Sequence, residues 1–349
     1  MLKLLSLTMV LSIVICKSVV YSQSDSAETC DMNCCFKDPS PAGVMLGHVH
    51  YKGQWMLSYK YMHMEMNGLQ NKASTISDEK IFAANYAMSP QKMSMQMHML
   101  MAMYGITDKI TVMAMGNFVA NTMEMKAYAQ NHVHGSGAEA SNGNGHNMQS
   151  NGLADTKLYS MFKLIEKESF KIIPAVGLNI PTGKINVQLN GETQAYNMQL
   201  GTGTWDGLLG ITYLHEKNDF EWGLQAQSSL RGQKNKANYQ YSNDYSANAW
   251  LSYYWSEHVS SSIRAESIKL ARVIGEDKAM NYLMEPGADS QNYGGIRHNI
   301  YLGSNFYLQN KRVRNHRLGL ELGIPFYQYL LGYQMKSTWN LNVQWAFTL

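Results

Sequence analysis

From Gln54 to the final residue the chain repeats one unit: an alternating segment, a short charged turn, another alternating segment, then a longer polar loop. Each alternating segment runs about 9 to 14 residues, the length of a tilted strand crossing a bilayer. Successive side chains of a strand point to opposite faces, so such a segment must present one apolar and one polar surface. In the last segment Trp339, Leu341, Val343, Trp345, Phe347 and Leu349 alternate with Asn340, Asn342, Gln344, Ala346 and Thr348. Phe220, Trp222, Leu224 and Ala226 stand against Glu221, Gly223, Gln225 and Gln227. Leu318, Leu320, Leu322 and Ile324 likewise oppose Arg317, Gly319, Glu321 and Gly323. Strands of a soluble sandwich average about 5 to 6 residues, roughly half of these lengths.

Five short turns lie at 105–108, 166–169, 216–219, 256–259 and 310–316. Six long loops fall near 67–91, 126–153, 181–203, 231–244, 276–295 and 328–336. Six long connections alternating with five short ones imply twelve strands, with both termini at the end that carries the short turns. The expected fold is all-β: a transmembrane antiparallel up-and-down β-barrel of about 12 strands in the bacterial outer membrane, its short turns facing the periplasm. Trp55, Trp205, Trp255 and Trp339 sit at strand ends, where interfacial girdles form. A barrel averages its lipid face with its polar lumen, which accounts for a mean hydropathy of -0.30 over 349 residues. The net charge of +3 gives no reason to expect nucleic acid.

At the N-terminus Lys3 precedes an apolar run from Leu4 to Ile15, and Val20-Tyr21-Ser22-Gln23 offers a cleavage point. Residues 1–22 read as a secretion signal, 23–53 as a periplasmic segment and 54–349 as the barrel. Cys16 lies inside the apolar run without the small residues that lipid attachment requires. The mature chain keeps Cys30, Cys34 and Cys35. Cys30 could pair with one of the adjacent two, leaving a free thiol, or the three could join Met32 in a soft-metal thiolate site.

There are 25 methionines. Met93, Met95, Met97, Met99, Met101 and Met103 form a ladder on one face of a strand, with His98 on the other. A two- or four-residue turn to the next strand pairs Met103 with Ile110 and Met101 with Val112, which turns the ladder to lipid. A three- or five-residue loop inverts every assignment. In the lipid-facing register the lumen keeps Met62, Met64 and Met66, and it places Met62, His98 and Met115 at similar depth. That trio is either a soft-cation site or an adaptable apolar lining. Met45, His48 and His50 lie near the cysteines and form a second set suited to Cu(I), or simply part of a segment that caps the periplasmic mouth.

Several runs carry a family resemblance: Pro-Ala-Gly-Val-Met-Leu-Gly-His-Val-His (41–50), Gly-Gln-Trp-Met-Leu-Ser-Tyr-Lys-Tyr-Met (53–62), Met-Gln-Met-His-Met (95–99), Leu-Asn-Ile-Pro-Thr-Gly (178–183) and Met-Gln-Leu-Gly-Thr-Gly-Thr-Trp-Asp (198–206). Over nearly the whole mature chain they resemble the outer-membrane transporters grouped under the meta pathway of phenol degradation, here in a methionine-rich form. The resemblance implies a barrel that carries small, often hydrophobic molecules, and it transfers no substrate-binding residue.

The leading expectation is an outer-membrane channel for a small solute, with Lys60, Glu221, Arg264, Glu266, Arg317 and Glu321 as lumen charges that pair and partly plug it. The alternative is a copper or soft-metal binding and efflux protein. Partners are the outer-membrane lipid, the barrel assembly machinery and a small-molecule or metal-ion cargo. A barrel hydrolase needs a Ser beside an oriented His. Ser94 and His98 share a strand face but belong to no recognisable motif, so no enzyme is expected.

Overall fold

A computed structural model describes residues 38–127, 146–167, 169–310 and 313–349. Eleven strand elements close an antiparallel barrel. In chain order they are β1 (Trp55–Lys72), β2 (Met88–Thr107), β3 (Ile110–Ala127), β4 (Thr156–Phe162), β5 (Phe170–Ile180), β6 (Asp206–Lys217), β7 (Phe220–Leu230), β8 (Asp244–Ser256), β9 (Val259–Leu270), β10 (Gly295–Asn310) and β11 (Val313–Thr348). The last is long enough to cross twice. Its first limb pairs β10, as in Phe306↔Leu318, and its second pairs β1, as in Lys60↔Gln344. The reversal lies at Gly332, whose φ of 77° is open to glycine. His316 stacks on Trp345 across the two limbs, so they count as separate staves, twelve in all. β6 pairs both β5 and β7 and completes the ring. Closure leaves no edge whose unpaired backbone groups would face hydrocarbon.

The outer face carries Leu57, Leu100, Phe118, Val176, Ile211, Leu251, Ile263, Leu302 and Leu322. Exposed Trp55 and Trp255 mark the end with the short turns, and exposed Trp205 and Trp339 the other. These are the two aromatic girdles of a barrel in the bacterial outer membrane. β2 has 20 residues, about 65 Å when extended, where a tilted crossing needs about 9 to 11 residues. The excess carries the long-loop end beyond the bilayer. There the short sheets Tyr239–Tyr241 with Val273–Gly275 and Gln188–Leu189 with Glu192–Thr193 pack over the opening with the short helix Asp78–Ala83.

The register between β2 and β3 corrects the lipid-facing expectation. The connecting turn has two residues, Asp108 and Lys109, with Thr107 opposite Ile110. That pairing alone would put the ladder outside. An irregularity between Gly105 and Thr107 adds one residue to β2 and shifts the pairing to Met103↔Met113, Met101↔Met115 and Met99↔Asn117. One extra residue exchanges the two faces of a strand. The irregularity sits where the chain enters the barrel: Gly53 N–H donates to Gly105 O at 2.8 Å, and a side chain at Gly105 would strike the Tyr51 carbonyl.

Candidate functional site

The inner faces of β1, β2 and β3 form a continuous methionine surface. Across β1 and β2 the rows read Met56↔Met103, Met62↔Met97, Met64↔Met95 and Met66↔Met93, and β3 adds Met113, Met115 and Met123 on the same face. None of the described methionines is exposed, whereas the exposed large apolar residues are Leu, Ile, Val, Phe, Trp and Tyr. Leucine and methionine are close in size and apolar character, so burial alone does not sort them this way.

Midway along the lumen lies a cavity of about 560 Å³. One wall holds Met62, Met64, Met97, Met99 and Met115, and the rest includes Asp155, Asp206, Arg231, Asp244, Arg264 and Glu266. Most of these charges are held in ion pairs. Arg264 donates to both carboxylate oxygens of Glu321 at 2.8 and 3.0 Å, to Glu266 at 3.2 Å and to Asn248 at 2.6 Å, and its guanidinium lies 3.8 Å from the Tyr301 ring centre. Arg231 bridges Asp206 and Asp244 at 3.3 and 2.7 Å. Bidentate pairing of this kind satisfies charges that would otherwise be too costly to bury.

Below the cavity, residues 38–53 fold into the barrel as a plug. Lys60 Nζ donates to Gly43 O at 2.9 Å, Thr212 Oγ1 to Leu46 O at 3.0 Å and Asn305 Nδ2 to Ser40 O at 3.3 Å. The Glu221 carboxylate accepts from Ser40 Oγ and Trp250 Nε1, both at 3.0 Å. Arg317 pairs with Asp38 and donates to the Ser40 carbonyl. Burial alone would raise the Asp38 pKa, but Arg317 and His48 outweigh it and hold the carboxyl well below the usual carboxylate range. Glu221 and Arg317 therefore serve the plug, while Lys60, Arg264, Glu266 and Glu321 line or back the cavity above it.

The fold has relatives among solved structures. The COG4313 outer-membrane channel from Pseudomonas putida F1 superposes with a TM-score of 0.56 at 15% identity, covering 86% of this chain and 97% of that one. The chain has the fold of an outer-membrane channel. A Pseudomonas aeruginosa FadL homologue gives 0.41 at 8% identity, with 84% and 89% covered. The P. putida toluene transporter TodX gives 0.40 at 9% identity, with 85% and 90% covered. No protein-family model and no curated protein matches the chain.

The two glycine-containing runs quoted above, 178–183 and 198–206, border the cavity and dock on one carboxylate. Asp155 accepts from Gly183 N–H at 3.0 Å, Thr202 N–H at 2.9 Å, Thr202 Oγ1 at 2.8 Å and Asn179 Nδ2 at 3.0 Å. Further out, Asn197 donates toward the sulfurs of Met93 and Met123 at 3.8 and 3.9 Å. Glu285, on the loop between β9 and β10, is buried with neither carboxylate oxygen hydrogen-bonded among the described residues, and burial pushes its pKa up to about 8. No sequence signal marked Asp155 or Glu285.

Two expectations about ligand sets need correction. His98 is not in the lumen with Met62 and Met115. It faces outward opposite Phe118, with a hydrogen bond of 2.7 Å between its Nδ1 and the Tyr59 hydroxyl. The cause is the same one-residue shift. Met45 does not join His48 and His50, since its side chain lines the cavity above the plug while theirs lie below. His48 instead meets Met56, Nε2 to Sδ 3.1 Å, and the two imidazoles stand 5.0 Å apart edge to face. His50 is fully buried, neither ring nitrogen has a hydrogen-bond partner among the described residues, and burial with His48 nearby pushes its pKa down to about 3. Cys30, Met32, Cys34 and Cys35 lie outside the described residues.

Proposed function

We propose that the protein is an outer-membrane channel that passes a small solute along the methionine face of its lumen and is closed at rest by its own N-terminal segment. The observation that carries this is the cavity, walled by thioethers on one side and by paired charges on the other, with the plug beneath it. Thioether side chains are polarizable and flexible, so such a wall adapts to small apolar or soft solutes of varied shape. The buried Asp38–Arg317 pair sits at the root of the plug, where it can release the segment without unfolding the barrel. The reading is of a conduit, not an enzyme: Ser94 and His98 share the outer face, away from the cavity.

The test is solute flux into vesicles holding the folded protein, with small apolar and small sugar solutes compared. Flux of the apolar class that rises when Arg317→Met loosens the plug supports the channel. A barrel that conducts neither class, plugged or loosened, overturns it.

A further inference from the structure

We propose that the base of the methionine face is a binding site for a soft monovalent metal ion, Cu(I) or Ag(I), held by Met56 and His48 with His50 beside them. The thioether rows lie on the other side of the plug, so they lead an ion to the site only once residues 38–53 are displaced. This names a cargo class for the lumen and so rests on reading the lumen as the path.

Three independent features point to the same chemistry. The first is that no described methionine lies on the exposed outer face, although the interior mixes Met with Leu, Ile and Val. Lumen and lipid face both need apolar side chains, yet only the lumen takes them as thioethers. The property that distinguishes Met from Leu is a soft donor sulfur, which suits Cu(I) and Ag(I). Along β2 the thioethers recur at every second residue from Met93 to Met103, about 7 Å apart, while β1 sets Ser58 and Lys60 opposite Met101 and Met99. An ion can therefore step between neighbouring thioethers.

The second feature is the contact between His48 and Met56. His48 Nδ1 lies 3.3 Å from Asp38 Oδ2, a carboxylate that itself sits against Arg317. A carboxylate on Nδ1 fixes the tautomer that carries its proton there, as carboxylates do for metal-ligating histidines. Nε2 then turns a lone pair toward the Met56 sulfur, 3.1 Å away, which offers only lone pairs in return. In that neutral form two acceptors face each other and a soft cation between them makes the arrangement favourable, whereas an imidazolium satisfies it with an Nε2–H hydrogen bond to the sulfur.

The third is His50, fully buried with both nitrogens unpartnered among the described residues. Packing does not call for an imidazole there, and a neutral imidazole is a ligand in waiting. Among the described residues no group of three His, Cys, Asp or Glu side chains could hold a metal. The site therefore lacks the nitrogen and oxygen cage of a harder divalent ion, and its sulfur and nitrogen donors fit a soft ion of low coordination number.

The experiment uses the full mature chain, folded in detergent, with Cys30, Cys34 and Cys35 changed to Ser so that thiolates do not compete. Ag(I) is titrated calorimetrically, and Cu(I) is presented anaerobically against a chromophoric chelator. Tight binding is expected that weakens at least tenfold in Met56→Leu and in His48→Gln, with X-ray absorption of the bound ion showing both sulfur and nitrogen neighbours. Met56→Leu keeps the side-chain volume, and heat-modifiable migration on gels verifies its barrel. Absence of binding, binding unchanged in both variants, or a shell without sulfur overturns the proposal. Equilibrium binding does not require conduction, so a barrel that binds but passes nothing retires the channel reading alone, and one that conducts without binding retires the metal site alone.

Discussion

Gly43 of the plug lies so close to the guanidinium of Arg264 that no side chain fits between them. On its other side the Gly43 carbonyl accepts the Lys60 ammonium at 2.9 Å. A methyl group at this position must displace either the plug or the Arg264–Glu321 pair, and the pair is held by two hydrogen bonds and by Tyr301. Gly43→Ala is therefore expected to unseat the plug and leave the barrel intact. Single-channel conductance should rise several-fold while heat-modifiable migration on gels stays the same. Unchanged conductance would mean that the segment yields without opening a path.

Arg317 and Asp38 fasten the root of the same segment. Removing one member of a buried ion pair leaves the other uncompensated, typically at a cost of about 3 to 5 kcal/mol. Arg317→Met should free residues 38–53 to proteases added on the periplasmic side, where the native protein resists. The pH dependence has a definite sign. Asp38 titrates below its ordinary value of 3.8 in the folded chain, so the contact contributes fully above that pH and is lost as pH falls below it. Protease sensitivity of the native plug should thus appear only in acid, and in Arg317→Met it should be present already at neutral pH.

Alternation is a local property, which is why strand number, the aromatic girdles and the apolar outer band were legible from residues such as Trp339 to Leu349. The charges were legible for the same reason, since Lys60, Glu221, Arg264 and Glu321 all fall on the polar side of their strands. Register is not local. The orientation of Met97 and His98 depends on one added residue near Ile106, and that residue is accommodated because the chain entering at Tyr51 packs on Gly105. Nothing between Met93 and Met103 encodes it. Asp155 was equally silent, because its partners Gly183 and Thr202 come from loops that only the closed barrel brings together.

Charge placed on the two faces of β2 tests the register directly. Leu100 is 65% exposed on the outer face, between the girdle levels marked by Trp55 and Trp339. Leu100→Lys should destabilise the barrel in vesicles by about 2 to 4 kcal/mol, as cations do near the bilayer midplane. Met97→Lys points into the polar cavity toward Asp206 and Glu266 and should cost distinctly less. Equilibrium unfolding in urea compares the two. The opposite order would return the methionine ladder to lipid and remove the thioether wall from the lumen.

Glu285 gives the loop layer a second pH dependence of opposite sense. Its carboxyl titrates at about 8 in the folded chain against an ordinary value of 4.5, because burial disfavours the anion and no partner compensates. Between those two values the folded state binds the extra proton, so stability is greatest below about pH 4.5 and declines as pH rises through 8. The residue sits near Asn197, which reaches the sulfurs of Met93 and Met123, so ionisation would strain the layer over the methionine face. Protease protection of loop 276–294, followed from pH 5 to pH 9, should fall with rising pH in the native protein and stay level in Glu285→Gln. A native profile as flat as that of the variant would show that the carboxylate finds a counter-charge when the layer opens.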